Sequence, residues 1–338
     1  MTRLLLLGGG HAHALVLLRF RNFISKHLQV SLVTPSPVHV YSGMVPGVIA
    51  GHYQAQEAQI DLARLARDAG VELILDRVLR FDPDAKQVEL SAGNRLDYDF
   101  ASLNLGSMPA TPAQAIAVKP FEEFMARWRD LLENGPKAPR IAVVGAGAGG
   151  VELAMAMKVA LAGRGDVALF SDRLAFRPGV ARRIRGALER LSIPLRLEAM
   201  PDAGFDATFW VTGAEPLPVL RASSLRMDRP GFVLVDPSLR SVSHPDVFAA
   251  GDCASLEGTE LPKSGVYAVK QGAVLARNLK RVVRGMTMLD YTPQASSLSL
   301  ISCGAKYAIA SRGGWSAEGR WAWWWKDWID RRWIARFR

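Results

Sequence analysis

The chain opens with four consecutive leucines, Leu4-Leu5-Leu6-Leu7, that run into Gly8-Gly9-Gly10 and then into the apolar stretch from Ala14 to Phe20. An apolar run cut short by glycine predicts a buried parallel strand, and the stretch after it predicts a packed helix. The same signals return at Ile141-Ala142-Val143-Val144, Gly145-Ala146-Gly147-Ala148-Gly149-Gly150 and Val151-Glu152-Leu153-Ala154. The runs Val30-Ser31-Leu32-Val33-Thr34 and Val167-Ala168-Leu169-Phe170-Ser171 read as the strand that follows each opening. A strand, glycine turn and helix met twice in one chain predict an internally duplicated nucleotide fold.

At such a junction the backbone N–H groups point outward and the helix dipole favours negative charge, which suits a pyrophosphate. In the first opening Gly8 permits the tight turn and Gly10 the close approach of phosphates, with His11 and Ala12 beginning the helix. His13 stands where the fingerprint places a third glycine. The second opening fills all three places with Gly145, Gly147 and Gly150, and Gly149 lies between the last two. Each unit should end its second strand beside an acid that bonds the adenosine ribose. The first ends on Thr34, with no acid at its tip. The second ends on Ser171, with Asp172 and Arg173 just beyond. Asp172 suits a ribose 2′-hydroxyl, whereas Ser171 and Arg173 suit a 2′-phosphate, so NADH and NADPH both stay open.

The length of 338 residues fits two domains, and 49% apolar against 22% charged residues fits a chain that buries real cores. No apolar run reaches the roughly eighteen residues of a membrane-spanning helix. The leucine run breaks after four residues with no small-residue cleavage site, which argues against a secretion signal. Two cysteines, Cys253 and Cys303, are too few for a disulfide scaffold and suit a reducing cytoplasm. His11 and His13 have no carboxylate or cysteine close in sequence, so no metal site is expected. His39 and His52 flank the loop from Tyr41 to Gly47 and are expected at the surface.

A net charge of +10 favours a polyanionic neighbour, and the C-terminal end concentrates the signal. Most of the nine tryptophans fall after residue 314 among several arginines. On a helical wheel Trp321, Trp324, Trp325, Trp328 and Ile329 share an arc of roughly 140°, with Lys326, Asp327 and Asp330 opposite. Arg332 and Arg336 interrupt the arc, and Trp323 falls on the polar side. Indoles beside arginines suit an anionic membrane surface. The alternative is a contact with the chain's own domain or with a second copy in a homodimer. No nucleic-acid motif is present.

Later segments bring a family resemblance. His244-Pro245-Asp246-Val247-Phe248-Ala249-Ala250-Gly251-Asp252 resembles the late Gly-Asp motif of the pyridine nucleotide-disulfide oxidoreductase superfamily. That likeness implies Asp252 at the ribityl and phosphate end of FAD, beside Gly251. Phe209-Trp210-Val211-Thr212-Gly213 resembles the strand returning from the inserted domain, and Tyr98 through Gly106 the matching crossover. Gly149-Gly150-Val151-Glu152-Leu153, the segment Pro262 to Gly272 and Gly319-Arg320-Trp321-Ala322-Trp323 resemble type II NADH dehydrogenases. The Gly-Gly-Gly-His-Ala-His opening, the Tyr41–Gly47 loop and Ser311-Arg312-Gly313-Gly314 resemble the flavoprotein branch fused ahead of selenide, water dikinase (selenophosphate synthetase). No kinase domain follows Arg338, so a free-standing copy is expected. The resemblance implies a cysteine pair near the flavin in the disulfide reductases and sulfide:quinone reductases. No cysteine precedes Cys253, which excludes the first; Cys253 and Cys303 read as packed residues.

The expected fold is α/β, with two Rossmann-like dinucleotide-binding domains, the second inserted in the first. Residues 1–108 and 236–290 should bind FAD, 109–235 NADH or NADPH, and 291–338 form a C-terminal β/helical segment. The expected function is hydride transfer from nicotinamide to flavin and onward to a quinone-like acceptor, on the cytoplasmic face of the membrane. Glu152 is the candidate for positioning the nicotinamide ring, or else an acid serving the helix dipole. Lys263, Tyr267 and Gln271 are candidates on the acceptor side, although Gln271 could simply begin a long helix. Rival readings are a soluble reductase in selenium or sulfur chemistry and a flavin-bearing sensor or partner-binding module.

Overall fold

Two five-stranded parallel sheets organise the chain in a computed structural model that describes residues 1–294 and 296–338. The first sheet runs in the order Val247–Ala249, Phe100–Leu103, Thr2–Leu7, Leu28–Thr34 and Glu72–Leu75. Its central strand is the leucine run, in register with Leu28–Thr34 on one side and Phe100–Leu103 on the other. A strand with neighbours on both edges and helices on its faces has no wet side, so every position from Leu4 to Leu7 is buried.

The second sheet runs Ile116–Ala117, Ala207–Trp210, Arg140–Val144, Asp166–Ser171 and Leu195–Leu197. All of its strands lie, in sequence, between Phe100–Leu103 and Val247–Ala249, which pair with each other in the first sheet. The chain therefore leaves one Rossmann-like unit, builds a second and returns, as the motif order predicts. The helix His11–Phe20 follows the first strand and packs against Gly265–Val282. Gly272 makes that approach possible: a Cβ there would lie 2.8 Å from Ala12 Cα.

The C-terminal segment is a three-stranded antiparallel sheet, Ser299–Ser302, Ala308–Arg312 and Trp315–Gly319, followed by the helix Arg320–Ile334. Ile301, Cys303 and Ile309 join the core of the second unit, while Trp333, Ile334 and Phe337 join the core of the first. Residues 45–50, from the loop after the second strand, also reach the second core through Val45, Ile49 and Ala50. Loop and tail thus strap the two units together beside the glycine turns.

Candidate functional site

Gly8 ends the first strand with φ +93°, and its N–H donates to Val33 O at 2.8 Å. A Cβ there would sit 2.4 Å from the carbonyl oxygen of Asn104, so the turn tolerates only glycine. Asn104 carries no sequence signal, yet it holds this corner. Its Oδ1 accepts from the N–H groups of Ala12 (3.1 Å) and His13 (3.3 Å), and its Nδ2 donates to Ala250 O (2.6 Å). Two helix N–H groups are thereby capped by protein, and among the described residues those of Gly9 and Gly10 have no protein acceptor.

His13 explains how the opening survives without its third glycine. The ring is fully buried, with Nδ1–H donating to Gly8 O at 2.6 Å and Nε2 accepting from the Ser102 hydroxyl at 2.8 Å. Burial lowers its pKa to about 4, so it is a neutral brace. Thr34 is buried and donates to Ser36 O, with no acid beside it. Gly106 turns with positive φ beside open space. Gly251 N–H donates to Gln271 Oε1 at 2.7 Å, and Asp252 pairs with Lys119 at 3.0 Å. His39 is not the surface residue expected from sequence: its Nε2 lies 3.1 Å from His11 Nδ1. His52 is half-buried and meets the Trp323 ring edge-on at 5.2 Å.

In the second opening a Cβ at Gly150 would lie 1.8 Å from Gly145 O, so the third glycine sets how closely helix and turn pack. Gly147 borders open space, Gly149 touches Val211, and Gly213 begins the loop after Ala207–Trp210. Ser171 Oγ accepts from Ala146 N–H (3.1 Å) and donates to Arg173 O (3.0 Å), so the strand tip is tied to the glycine turn. Both turns present backbone donors at the start of a helix. That donor set fits the pyrophosphate of a dinucleotide.

The four candidates for chemistry do not form one group. Lys263, Tyr267 and Gln271 line a small cavity with Gly251 and Asp252. Lys263 donates to Ala254 O and Ser255 Oγ and lies 3.9 Å from the centre of the Phe232 ring, and Gln271 braces Gly251 from inside its helix. Glu152 is elsewhere. Its carboxylate accepts from Ser302 N–H at 2.7 Å, so it reaches toward the C-terminal sheet rather than serving its own helix end. Burial pushes its pKa up to about 7, against the pull of Lys326.

Lys326 is a residue whose place in the fold sequence reasoning misses, because the wheel only sets it opposite the apolar arc. The wheel separates the tail helix correctly, but the charged side faces inward. Lys326 Nζ donates to Gly43 O (2.6 Å) and Asp330 (2.7 Å), Tyr41 donates to Asp330 (3.1 Å), and Tyr53 donates to Asp327 (2.7 Å). Burial pulls the Lys326 ammonium down, yet Asp330 and Glu152 hold it above its ordinary value. Trp323, on the same side, is buried for the same reason. Trp321, Trp324, Trp325 and Trp328 are 47%, 54%, 38% and 55% exposed. Both cysteines are free and buried, their thiols pushed up by desolvation, Cys303 to about 12. No group of His, Cys, Asp and Glu among the described residues is arranged to hold a metal.

Two glycine turns at the helix starts of two interlocked parallel sheets define an oxidoreductase built around a pair of dinucleotides. Residues 2–272 match the model of the pyridine nucleotide-disulphide oxidoreductases, and the chain belongs to that family. Its members are FAD-dependent and use NADH or NADPH, and the chain is an NAD(P)H-dependent flavoprotein oxidoreductase. It is 23% identical over 321 residues to the NADH dehydrogenase-like protein YutJ of Bacillus subtilis, covering 87% of each chain. It is 22% identical to the type II NADH:quinone oxidoreductase of Staphylococcus epidermidis, covering 98% of this chain and 94% of that one. In fold it matches the sulfide:quinone oxidoreductase of Aquifex aeolicus with a TM-score of 0.79 at 16% identity, over 100% of this chain and 92% of the other.

Proposed function

We propose that the chain uses NADH or NADPH to reduce a quinone-like acceptor and works against an anionic membrane on its cytoplasmic face. Within the family the His-Ala-His opening supports placing it beside the branch associated with selenophosphate synthetase. When bound, FAD supplies the hydride acceptance and electron release that no side chain can. Residues 1–108 and 236–290 hold it, through the backbone N–H groups of Gly9 and Gly10, unpaired among the described residues, in the turn that Gly8, His11 and Ala12 shape, with Thr34, Gly106, Gly251 and Asp252 around it. Residues 109–235 hold the nicotinamide dinucleotide on Gly145, Gly147, Gly149 and Gly150, with Ser171 and Gly213 at its sides. Gln271 braces Gly251, Lys263 holds the Ala254–Ser255 stretch just after the Gly251–Asp252 turn, and Tyr267 lines the same cavity.

The observation that carries the acceptor is Glu152, whose carboxyl accepts from Ser302 N–H under a helix whose outer face is indole, with desolvation raising its pKa to about 7. A quinone takes up two protons with two electrons. Glu152 holds a proton at its carboxyl oxygen, and Lys326 keeps a charged ammonium alongside. The Tyr41 and Tyr53 hydroxyls stay protonated, since burial and the adjacent aspartates push them up.

The membrane follows from charge complementarity. Both acids of the tail helix face inward, where Arg331 pairs with Asp327 and Glu57, while Arg320, Arg332, Arg336 and Arg338 are exposed on the side of the outward tryptophans. Indoles ringed by arginines settle at the headgroup level of an anionic bilayer. No helix among the described residues is long and apolar enough to cross a membrane, so the contact is peripheral. The test is anaerobic oxidation of NADH and NADPH with and without a short-chain quinone, plus co-sedimentation with phosphatidylglycerol vesicles. Quinone-dependent turnover and pelleting support the proposal. Nucleotide oxidation that the quinone does not accelerate overturns the acceptor, and a protein that stays in the supernatant overturns the membrane.

A further inference from the structure

The His11–His39 pair is absorbed by none of the roles above. His11 is the first helical residue after the glycine turn and is 9% exposed. Its Nδ1 faces His39 Nε2 at 3.1 Å, with the rings edge-to-face and 4.5 Å between centroids. Its Nε2 is buried and has no hydrogen-bond partner among the described residues. Such an atom destabilises the fold unless a ligand or water satisfies it.

A Cβ added to Gly265 would lie 3.9 Å from both Cε1 and Nε2 of His11 and 3.4 Å from Ser42 Oγ, so the Cε1–Nε2 edge of the ring faces the first residue of the helix Gly265–Val282. That helix spans 18 residues and its start has no side-chain cap. A helix N-terminus and an imidazole nitrogen thus converge on one small space, and Gly265 leaves it unfilled. Both favour an electron-rich oxygen or nitrogen between them.

The charged and titratable neighbours of the imidazole pair are few. They are Tyr41, whose ring centroid is 5.5 Å from that of His11, and Lys119, whose positive charge disfavours protonation of both histidines. No carboxylate among the described residues contacts His11, and burial and Lys119 lower its pKa to about 4, so the imidazole is neutral. The glycine turn already offers a pyrophosphate its backbone donors. A neutral donor opposite a helix start fits a carbonyl of a heteroaromatic ring.

We propose that His11 Nε2–H donates a hydrogen bond to the carbonyl-bearing edge of the FAD ring system, and that His39 fixes the tautomer by donating to His11 Nδ1. This rests on the FAD assignment above. His11 is the contact, and His39 is a positioning residue. A donor at that edge favours the two-electron reduced, more electron-rich form of the ring. Its loss should shift the preference between reduced and oxidised cofactor about tenfold, which is about 30 mV for a two-electron couple.

The experiment is spectroelectrochemical titration of the FAD-loaded full chain for wild type, His11→Phe, His39→Phe and His39→Gln. His11→Phe and His39→Phe should both lower the midpoint potential by about 30 mV. His39→Gln keeps an amide donor toward His11 and should return the potential close to wild type. If His11→Phe does not fold, His11→Gln, which retains an N–H donor in similar volume, should hold a potential between the two. An unchanged potential in a folded His11→Phe protein overturns the inference and leaves the FAD assignment standing. A wild-type chain that takes up no FAD overturns both.

Discussion

Single residues carry opposite burdens at the two glycine turns. His13 occupies a place meant for glycine and meets the deficit by bonding Gly8 O and Ser102. His13→Ala should cost about 2–4 kcal/mol, as a cavity and two orphaned groups, read by chemical denaturation. A change below the error of that measurement would mean the ring is dispensable. Glu152 makes a prediction with a definite sign. Its folded pKa, about 7, lies above the ordinary carboxylate value, so its protonated form is favoured in the folded state. That stability is fully present below the ordinary pKa near 4.5 and is lost as pH rises through 7. Glu152→Gln should therefore gain on wild type between pH 5 and pH 8, by up to about 3 kcal/mol. Parallel stability curves for the two proteins would contradict the buried assignment. The glycines are legible in the sequence because their spacing is a pattern. Asn104 and the inward turn of Lys326 are not, since each depends on partners far away in the chain.

The tail helix shows the same division at the scale of an element. Its two faces can be drawn from a wheel, but which face is buried cannot. The usual expectation puts tryptophan inside and charge outside, and here Gly43, Tyr41 and Tyr53 supply partners for the charges. Periodicity reports that a helix has two sides; only the polar groups waiting on the neighbouring loop decide the orientation. Two sets of variants separate the faces. Trp324→Ser with Trp328→Ser should abolish vesicle co-sedimentation with little change in melting temperature. Lys326→Ala should lower stability by about 3 kcal/mol, because Asp330 loses its buried counter-ion, and should leave vesicle binding intact. If the inner variant removes vesicle binding while the outer pair does not, the orientation of the helix is wrong.

At the scale of the whole molecule, the chain is two Rossmann-like units threaded one through the other, strapped by a loop and a C-terminal segment. The order of the motifs makes the insertion legible in the amino-acid sequence, because a glycine turn, a second glycine turn and a returning Gly-Asp allow one nesting. The strapping is not legible there, since it arises from apolar residues such as Ile301 and Trp333 that carry no motif. With a net charge of +10 and exposed arginines beside the indoles, vesicle binding should weaken as salt rises from about 50 to about 500 mM. The central claim is that this frame holds FAD and a nicotinamide dinucleotide as working redox partners. The most direct test is the visible spectrum of the purified, FAD-incubated protein before and after anaerobic addition of NADH and then NADPH. A flavin spectrum bleached by one of the two is the predicted result. A protein that acquires no flavin absorbance, or a flavin that neither nucleotide bleaches, would contradict the account.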